Sequence, residues 1–459
     1  MPTAERYDAV VIGSGDGGKY LAWHMAQAGR KVAVIERRWI GGSCPNINCL
    51  PSKNEIWSAG VAHAVAHAGA YGVATGPVSV DMKTVVARKR AMVESLVAFH
   101  LERYEATGAE LIMGNARVIG PETIEVALND GGTRLLVAEK LFLNLGTHAT
   151  IPPVPGLAEA KPLTHIEALE LDRLPAHLIV LGGGHVGLEL AQAYRRFGSR
   201  VTIVDRGPRL LKREDEDVSD EIRRILEAEG IEVLLSAEIE KVEGRSAGSV
   251  RATIRTSDGS KVIEGTDMLV AAGRTPNTRG IGLEEAGVAL TDRGYIQVNE
   301  RLETTARDVW AIGECAGATR TFWDKIVIAY GLRRWYERRG VLRQEGQRVS
   351  RHYYELHCLL QSEVGQIAIA DLDLGTDCVR HARMFFDRPD YDLASALPGS
   401  FAIEPITGMV RGTRGGLCQH DSDDLRCCAS VRRCARLSST HRETIEGSRG
   451  RRWWSPQRR

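Results

Sequence analysis

Cys44 and Cys49 stand five positions apart in the segment Gly41-Gly42-Ser43-Cys44-Pro45-Asn46-Ile47-Asn48-Cys49-Leu50-Pro51-Ser52-Lys53. Two thiols this close can cycle between dithiol and disulfide or hold a soft metal. A zinc site needs more ligands, and no second pair stands nearby at ligand spacing. On a regular helix, residues five apart have α-carbons about 8 to 9 Å apart, whereas a disulfide needs about 4.4 to 6.8 Å. The segment must therefore leave ideal helix geometry around Cys44. Pro45, with its fixed torsion and missing donor, suits a helix start there. A thiolate near a helix N-terminus has a lowered pKa, so thiol–disulfide exchange is the expected chemistry.

Two glycine-rich turns carry a second kind of chemistry. Gly13-Ser14-Gly15-Asp16-Gly17-Gly18 and Gly182-Gly183-Gly184-His185-Val186-Gly187 both read GxGxxG. The first glycine permits a tight strand-to-helix turn, the second lets the backbone approach a pyrophosphate, and the third lets the helix pack on the sheet. Each turn follows an apolar run, opens a helical stretch, and has an acid 23 positions after its first glycine, Glu36 or Asp205. Such an acid accepts from a ribose hydroxyl. Two dinucleotide-binding units of one design are implied: Gly13, Gly15, Gly18 and Glu36, then Gly182, Gly184, Gly187 and Asp205. Asp205 would repel a 2′-phosphate and favours NADH. Arg206, Arg209 and Lys212 could instead receive that phosphate, so NADPH stays open.

Around these residues strand and helix alternate, as parallel α/β units require. Strands are expected at residues 7–12, 31–35, 178–181, 200–204, 267–272 and 308–312. A helix is expected over 80–107, and short strands over 109–145 with a turn at Asn129-Asp130-Gly131-Gly132. Ile151-Pro152-Pro153-Val154-Pro155-Gly156 favours extended backbone and reads as a domain joint. The 459 residues allow roughly three domains. With 60 basic and 59 acidic side chains, nothing supports a broad nucleic-acid surface. No apolar run approaches the ~18 residues that cross a bilayer, so no membrane partner is expected. The N-terminus runs straight into a strand without a signal-like segment, and a cytoplasmic protein is expected.

These motifs, with Ala271-Ala272-Gly273-Arg274-Thr275-Pro276-Asn277 and Thr304-Thr305-Ala306 followed by Ala311-Ile312-Gly313-Glu314, carry a family resemblance over residues 1 to 330. The chain resembles the FAD-dependent pyridine nucleotide–disulfide oxidoreductases of the dihydrolipoamide dehydrogenase, glutathione reductase and mercuric reductase group, and mercuric-reductase-like members most. The resemblance implies two Rossmann-like three-layer α/β domains and a C-terminal α+β interface domain. It divides the chain into an FAD-binding domain (1–150, continued at 271–335), an NAD(P)-binding domain (151–270) and an atypical C-terminal region (336–459). It implies FAD on the first turn, with Gly42, Ser43, Lys53, Gly146, Gly273, Arg274, Gly313 and Glu314 completing the cofactor sites. Glu314, where most members have Asp, would meet the ribityl chain. NAD(P)H would bind the second turn, with Arg206 beside it. The reduced flavin would open a Cys44–Cys49 disulfide, with Cys49 facing the flavin and Cys44 exchanging with a small disulfide, dithiol or Hg(II) substrate. Lys53 would lie near the flavin N5, paired with Glu189.

The resemblance fades in the last third. Residues 331–459 hold 22 Arg, no Lys and 16 acids, so the net +1 is about −5 in front and +6 behind. Family members dimerise there, and each supplies its partner with a His and a Glu as acid/base. The usual His-Pro-Thr wording is absent, while His441 and Glu446, five apart, are the remaining candidates. Cys427-Cys428 is similar to the vicinal pair of mercuric reductases but precedes His441 instead of following it. A displaced reading frame in a GC-rich gene would also give this composition. Two functions therefore stand: a homodimeric flavoenzyme, or a flavin- and nucleotide-binding protein impaired in its thiol half-reaction.

Overall fold

The computed structural model describes residues 4–316, apart from 213, 258 and 300. β1 (Glu5–Ile12) and β2 (Val32–Glu36) pair in parallel, and α1 (Asp16–Gln27) crosses between them. Ala9, Val10 and Val11 are fully buried, as a strand covered on both faces requires. β3 (Glu110–Val118) continues the parallel layer beside β2 through Ala33↔Glu110 to Glu36↔Met113. Its second half turns to pair antiparallel with β4 (Thr123–Leu128). β5 (Thr133–Leu143) pairs antiparallel with β4 at its start and parallel with β1 from Leu136 onward. β3 and β5 thus each pair parallel along one stretch and antiparallel along the other within a single sheet.

Between β2 and β3 the chain builds the helices that matter for chemistry. α2 (Ser43–Asn46) is one turn, α3 (Cys49–Ala66) follows after a break, and α4 (Met82–Thr107) runs back. Asp81 caps α4 by accepting from the Lys83 N–H at 3.0 Å, and Gly108 ends it in the left-handed region at φ +76°. Trp23 of α1 packs edge-on to Tyr104 of α4, with ring centres 5.4 Å apart.

The second unit interrupts the first. β6 (Thr147–Ala149) pairs antiparallel with β14 (Arg274–Pro276), so the two ends of the inserted stretch are tied together. α5 (His165–Ala168) carries a capping box between Thr164 and Glu167. The insertion then runs β7 (His177–Leu181), α6 (His185–Phe197), β8 (Arg200–Val204), α7 (Glu216–Ala228) and β9 (Glu232–Leu234). An antiparallel meander of β10 (Glu238–Gly244), β11 (Val250–Thr256) and β12 (Gly259–Gly265) leads to β13 (Asp267–Val270). The parallel sheet of this unit has the order β13-β7-β8-β9. β15 (Val309–Ala311) then returns to pair with β5 of the first sheet. Among the described residues no helix is long and apolar enough to cross a membrane.

α3 and α4 are shared between the units. Ala59 and Ala62 of α3 and Met82 and Val85 of α4 lie in one apolar cluster with Leu188, Leu190 and Tyr194 of α6. Glu55 of α3 is fully buried beside this cluster, and neither carboxylate oxygen has a hydrogen-bond partner. Burial pushes its pKa up to about 7, against the opposing pull of the Lys89 charge. Lys89, also buried, is committed to the Leu169 carbonyl and to Glu170.

An acid raised in this way penalises the fold progressively as pH climbs from its ordinary value of 4.5 to about 7, and by a constant amount above that. Glu55→Gln is therefore expected to raise the unfolding midpoint clearly at pH 8, corresponding to about 3 kcal/mol. It should do so only slightly at pH 5. Equal midpoint shifts at the two pH values would remove the buried-charge explanation.

Candidate functional site: two dinucleotide turns and a thiol pair

The first glycine turn sits at the carboxyl ends of β1, β2, β5 and β15, where open parallel sheets hold ligands. Gly13 is held at φ +100°, and a Cβ there would stand 2.2 Å from the Asn144 carbonyl oxygen. A Cβ on Gly18 would stand 2.5 Å from the Gly13 oxygen, so helix α1 packs on the turn only with glycine. Gly15 is the residue before α1 and has extended backbone. Glu36, at the end of β2, is buried and takes the Ser14 N–H at 3.0 Å and the Ser14 hydroxyl at 2.7 Å on one oxygen. Its other oxygen takes the Arg38 and Trp39 N–H groups at 2.9 and 3.0 Å.

The cysteine segment is docked on this turn by backbone. Gly42 has φ +84°, and a Cβ on it would lie 2.3 Å from the Gly15 α-carbon. Asn46 holds the approach from the other side, donating to the Ile40 and Gly42 carbonyls, each at 2.8 Å. Ser43 and Cys44 lie on α2, and Cys49 opens α3. Between them Ile47 and Asn48 leave helical torsions, at φ/ψ of −138°/4° and −135°/−104°. This is the departure from regular helix that the spacing requires, but it falls just before Cys49, not around Cys44, which lies with Pro45 inside α2. Both cysteines are free thiols, Cys44 half-buried and Cys49 exposed. A second expectation is corrected here. Burial, reinforced by the hydrogen bond and charge of Cys49, pushes the Cys44 thiol up to about 12. Among the described residues no cluster of three or more His, Cys, Asp or Glu could hold a metal ion.

The second turn repeats the first. A Cβ on Gly182, at φ +113°, would stand 2.5 Å from the Ala271 oxygen, and one on Gly187 would stand 2.2 Å from the Gly182 oxygen. Gly184, before α6, has nothing within 4 Å of its Cβ position, which is the open space a pyrophosphate needs. Asp205 takes the Gly183 N–H on one oxygen and the Gly207 N–H on the other, each at 2.6 Å. A carboxylate offers about four acceptor sites, so lone pairs remain for a ribose diol. Arg206 is exposed beside it.

Lys53 of α3 is ion-paired with Glu189 of α6, two residues beyond Gly187. Arg274 donates to the Thr147 hydroxyl at 2.6 Å and lies 3.4 Å from Glu314, which also takes the Thr147 hydroxyl. Gly313, at φ +76°, lies against the Asn144 amide. Gly146 and Gly273 flank the β6/β14 pair, both with positive φ. His165 is buried next to this group with Nε2 unpartnered, and burial and then the Arg274 charge push its imidazole down to about 4. His441 and Glu446 lie outside the described residues, as does Cys427-Cys428.

Sequence reasoning missed the side chains that hold the turn itself. Asn144 donates to the Gly13 carbonyl at 3.1 Å from 131 positions away, and only the strand end before it hinted at a site. Ser14 is fully buried and links Glu36 to the cysteine segment by accepting the Gly41 N–H at 3.0 Å. Lys19 and His100, both buried, lie under Gly41. No motif marks these four.

The arrangement defines a mixed α/β fold with a Rossmann-like FAD-binding domain. The family model described as pyridine nucleotide-disulphide oxidoreductase matches residues 7–338, and the chain belongs to that family, in its class I group. Family members are FAD-dependent and use NAD(P)H. The chain is 36% identical over 313 residues to the mercuric reductase of Streptomyces lividans, covering 67% of this chain and 65% of that protein. It is 33% identical over 317 residues to the probable pyridine nucleotide-disulfide oxidoreductase RclA of Escherichia coli (strain K12), covering 68% and 66%. To the dihydrolipoyl dehydrogenase of Chlorobaculum tepidum it is 34% identical over 319 residues, covering 68% and 67%. The chain thus spans slightly less than two thirds of the first two relatives. The solved structure of HOCl-induced flavoprotein disulfide reductase RclA from Escherichia coli superposes with a TM-score of 0.60 at 32% identity, covering 68% of this chain and 67% of that one.

The two turns fit the family's two dinucleotides, because at Gly13, Gly18, Gly182 and Gly187 any Cβ would strike backbone and displace the loop. Gly42→Ala tests the docking of the cysteine segment. Purified from the same host, it is expected to carry less than half the flavin per chain of the parent. Full flavin content would show that the Gly42–Gly15 approach is dispensable.

Proposed function

We propose that the chain passes two electrons from NAD(P)H through FAD to a Cys44–Cys49 disulfide, and from the resulting dithiol to a small disulfide, a dihydrolipoamide-like couple or Hg(II). The observation that carries this is the thiol pair seated on the first dinucleotide turn through Gly42 and Gly15. FAD bound there would accept hydride from the nicotinamide and reduce sulfur. On this reading residues 1–150 and 271–335 form the FAD domain, 151–270 the NAD(P) domain, and 336–459 the atypical interface region.

Each residue then has a stated task. Glu36, with Gly13, Gly15 and Gly18, holds the adenosine half of FAD, while Ser43, Gly146, Gly273, Arg274, Gly313 and Glu314 line its far side. Gly182, Gly184, Gly187 and Asp205 hold the nicotinamide dinucleotide, and the Asp205 carboxylate favours NADH over NADPH. Cys49 faces the flavin, Lys53 lies near its N5, and Glu189 orients Lys53. Opening the disulfide consumes two electrons and, when both sulfurs are protonated, two protons. Burial keeps the second proton on Cys44 at neutral pH, so exchange with substrate needs a base. His441, oriented by Glu446 and supplied by the partner copy, is the proposed base. Leu50, Trp57 and Val61 leave an exposed apolar stripe on α3, which supports a homodimer.

Anaerobic titration with NADH should produce a long-wavelength thiolate–flavin charge-transfer absorption. Cys44→Ser should show it before NADH is added, and Cys49→Ser should not show it at all. A band that persists in Cys49→Ser would overturn the assignment of that thiol. Reoxidation of the reduced protein by lipoamide, glutathione disulfide or Hg(II) then identifies the substrate. Failure of all three would leave only the flavin- and nucleotide-binding function.

A further inference from the structure

Lys19 of α1 is a charged side chain only 2% exposed. An ammonium has three donors, and a buried one is costly unless all three are used. Here each finds an acceptor: Asp16 Oδ1 at 2.6 Å, the Gly41 carbonyl at 3.1 Å and His100 Nε2 at 2.8 Å. Burial, with a contribution from the Lys19 charge, lowers the His100 pKa against the opposing pull of the Leu96 hydrogen bond and the Asp16 charge. Its Nδ1–H is given to the Leu96 carbonyl, which leaves Nε2 as an acceptor for Lys19. The same imidazole explains Gly41, whose Cβ would stand 3.0 Å from the ring. The Gly41 peptide is thus gripped at both ends, its N–H by Ser14 Oγ and its carbonyl by Lys19. Gly41 leads directly into Gly42 and Cys44.

We propose that Lys19 is a positioning residue of the thiol centre: its buried ammonium fixes the Gly41 carbonyl and keeps a positive charge beside Cys44. The proposal rests on Cys44 being the exchanging thiol. A residue that merely tied α1 to α4 could be apolar, as Trp23 and Tyr104 are. The charged and titratable groups that act on Cys44 are Asp16, Lys19 and Tyr20 from α1 and Cys49 from α3, and His100 of α4 hydrogen-bonds Lys19. Of these, Lys19 favours the Cys44 thiolate, while Asp16 and Cys49 oppose it. Lys19 and Asp16 should therefore act on Cys44 with opposite signs, although they lie on one helix turn and touch each other.

The test is the pH profile of Cys44 alkylation by iodoacetamide in the flavin-loaded protein, read by peptide mass. Reduction with a phosphine makes the profile readable whether or not NADH reduces the pair. Alkylation joins the thiolate sulfur to the acetamide carbon and expels iodide, so its rate follows the thiolate fraction. Lys19→Met should move the profile up by about one pH unit, about tenfold slower at a fixed lower pH. Asp16→Asn should move it down. Profiles that coincide with the parent, or that move in the same direction in both variants, would overturn the proposal. Should Lys19→Met not retain flavin, Lys19→Gln, which removes the charge but keeps a donor for the Gly41 carbonyl, decides by the same upward shift. If NADH releases no thiols from the parent, the proposed electron path fails, while the Lys19 result stands or falls separately.

Discussion

The thiol centre depends on one close approach of backbone to backbone, Gly42 against Gly15. Gly42 cannot carry a side chain, because a Cβ there would lie 2.3 Å from the Gly15 α-carbon, and one on Gly15 would displace the Asn144 amide. Gly15 is also the residue from which α1 begins, so the same atom that opens the phosphate-binding helix bears the lead-in to Cys44. Geometry at the sulfurs is thereby tied to geometry at the first dinucleotide. The link to the second dinucleotide comes from α3, which starts at Cys49 and buries Ala59 and Ala62 beside α6. A thiol pair placed between the two glycine turns depends on both constraints.

Packing, not ion pairing, holds that second link. The Lys53–Glu189 pair joins α3 to α6, but the Lys53 side chain is 64% exposed. Exposed pairs contribute only about 0 to 1 kcal/mol, so the pair serves to orient Lys53 more than to hold the helices. The buried polar groups on the same helices act differently. Glu55 is unpartnered, Lys89 is held by the Leu169 carbonyl and Glu170, and Lys19 uses all three donors, so each makes the surrounding structure sensitive to charge. The half-buried thiol at Cys44 is sensitive in the same way: its environment protects the proton.

Much of this was legible in the sequence where chemistry and backbone conformation demand the same residue. Glycines at the two turns, the acids Glu36 and Asp205, and a break between Cys44 and Cys49 follow from torsion, reach and spacing alone. The helix over 80–107 corresponds to α4, and the turn at Asn129–Gly132 joins β4 to β5. What could not be read was long-range. Asn144 and Ser14 are ordinary polar residues until the sheet brings β5 beside β1 and Gly41 over the turn. The thiol's pKa was misjudged for the same reason: helix position is local, but burial is set by the whole fold.

The most direct measurement is peptide mapping of the flavin-loaded protein, isolated in air and blocked with a thiol reagent before and after anaerobic NADH. The expected result is a Cys44–Cys49 disulfide beforehand and two blocked thiols at these positions afterwards. Cysteines already free in the aerobic protein, or a disulfide that NADH leaves intact, would contradict the central claim that this pair is the electron outlet of the two dinucleotide sites.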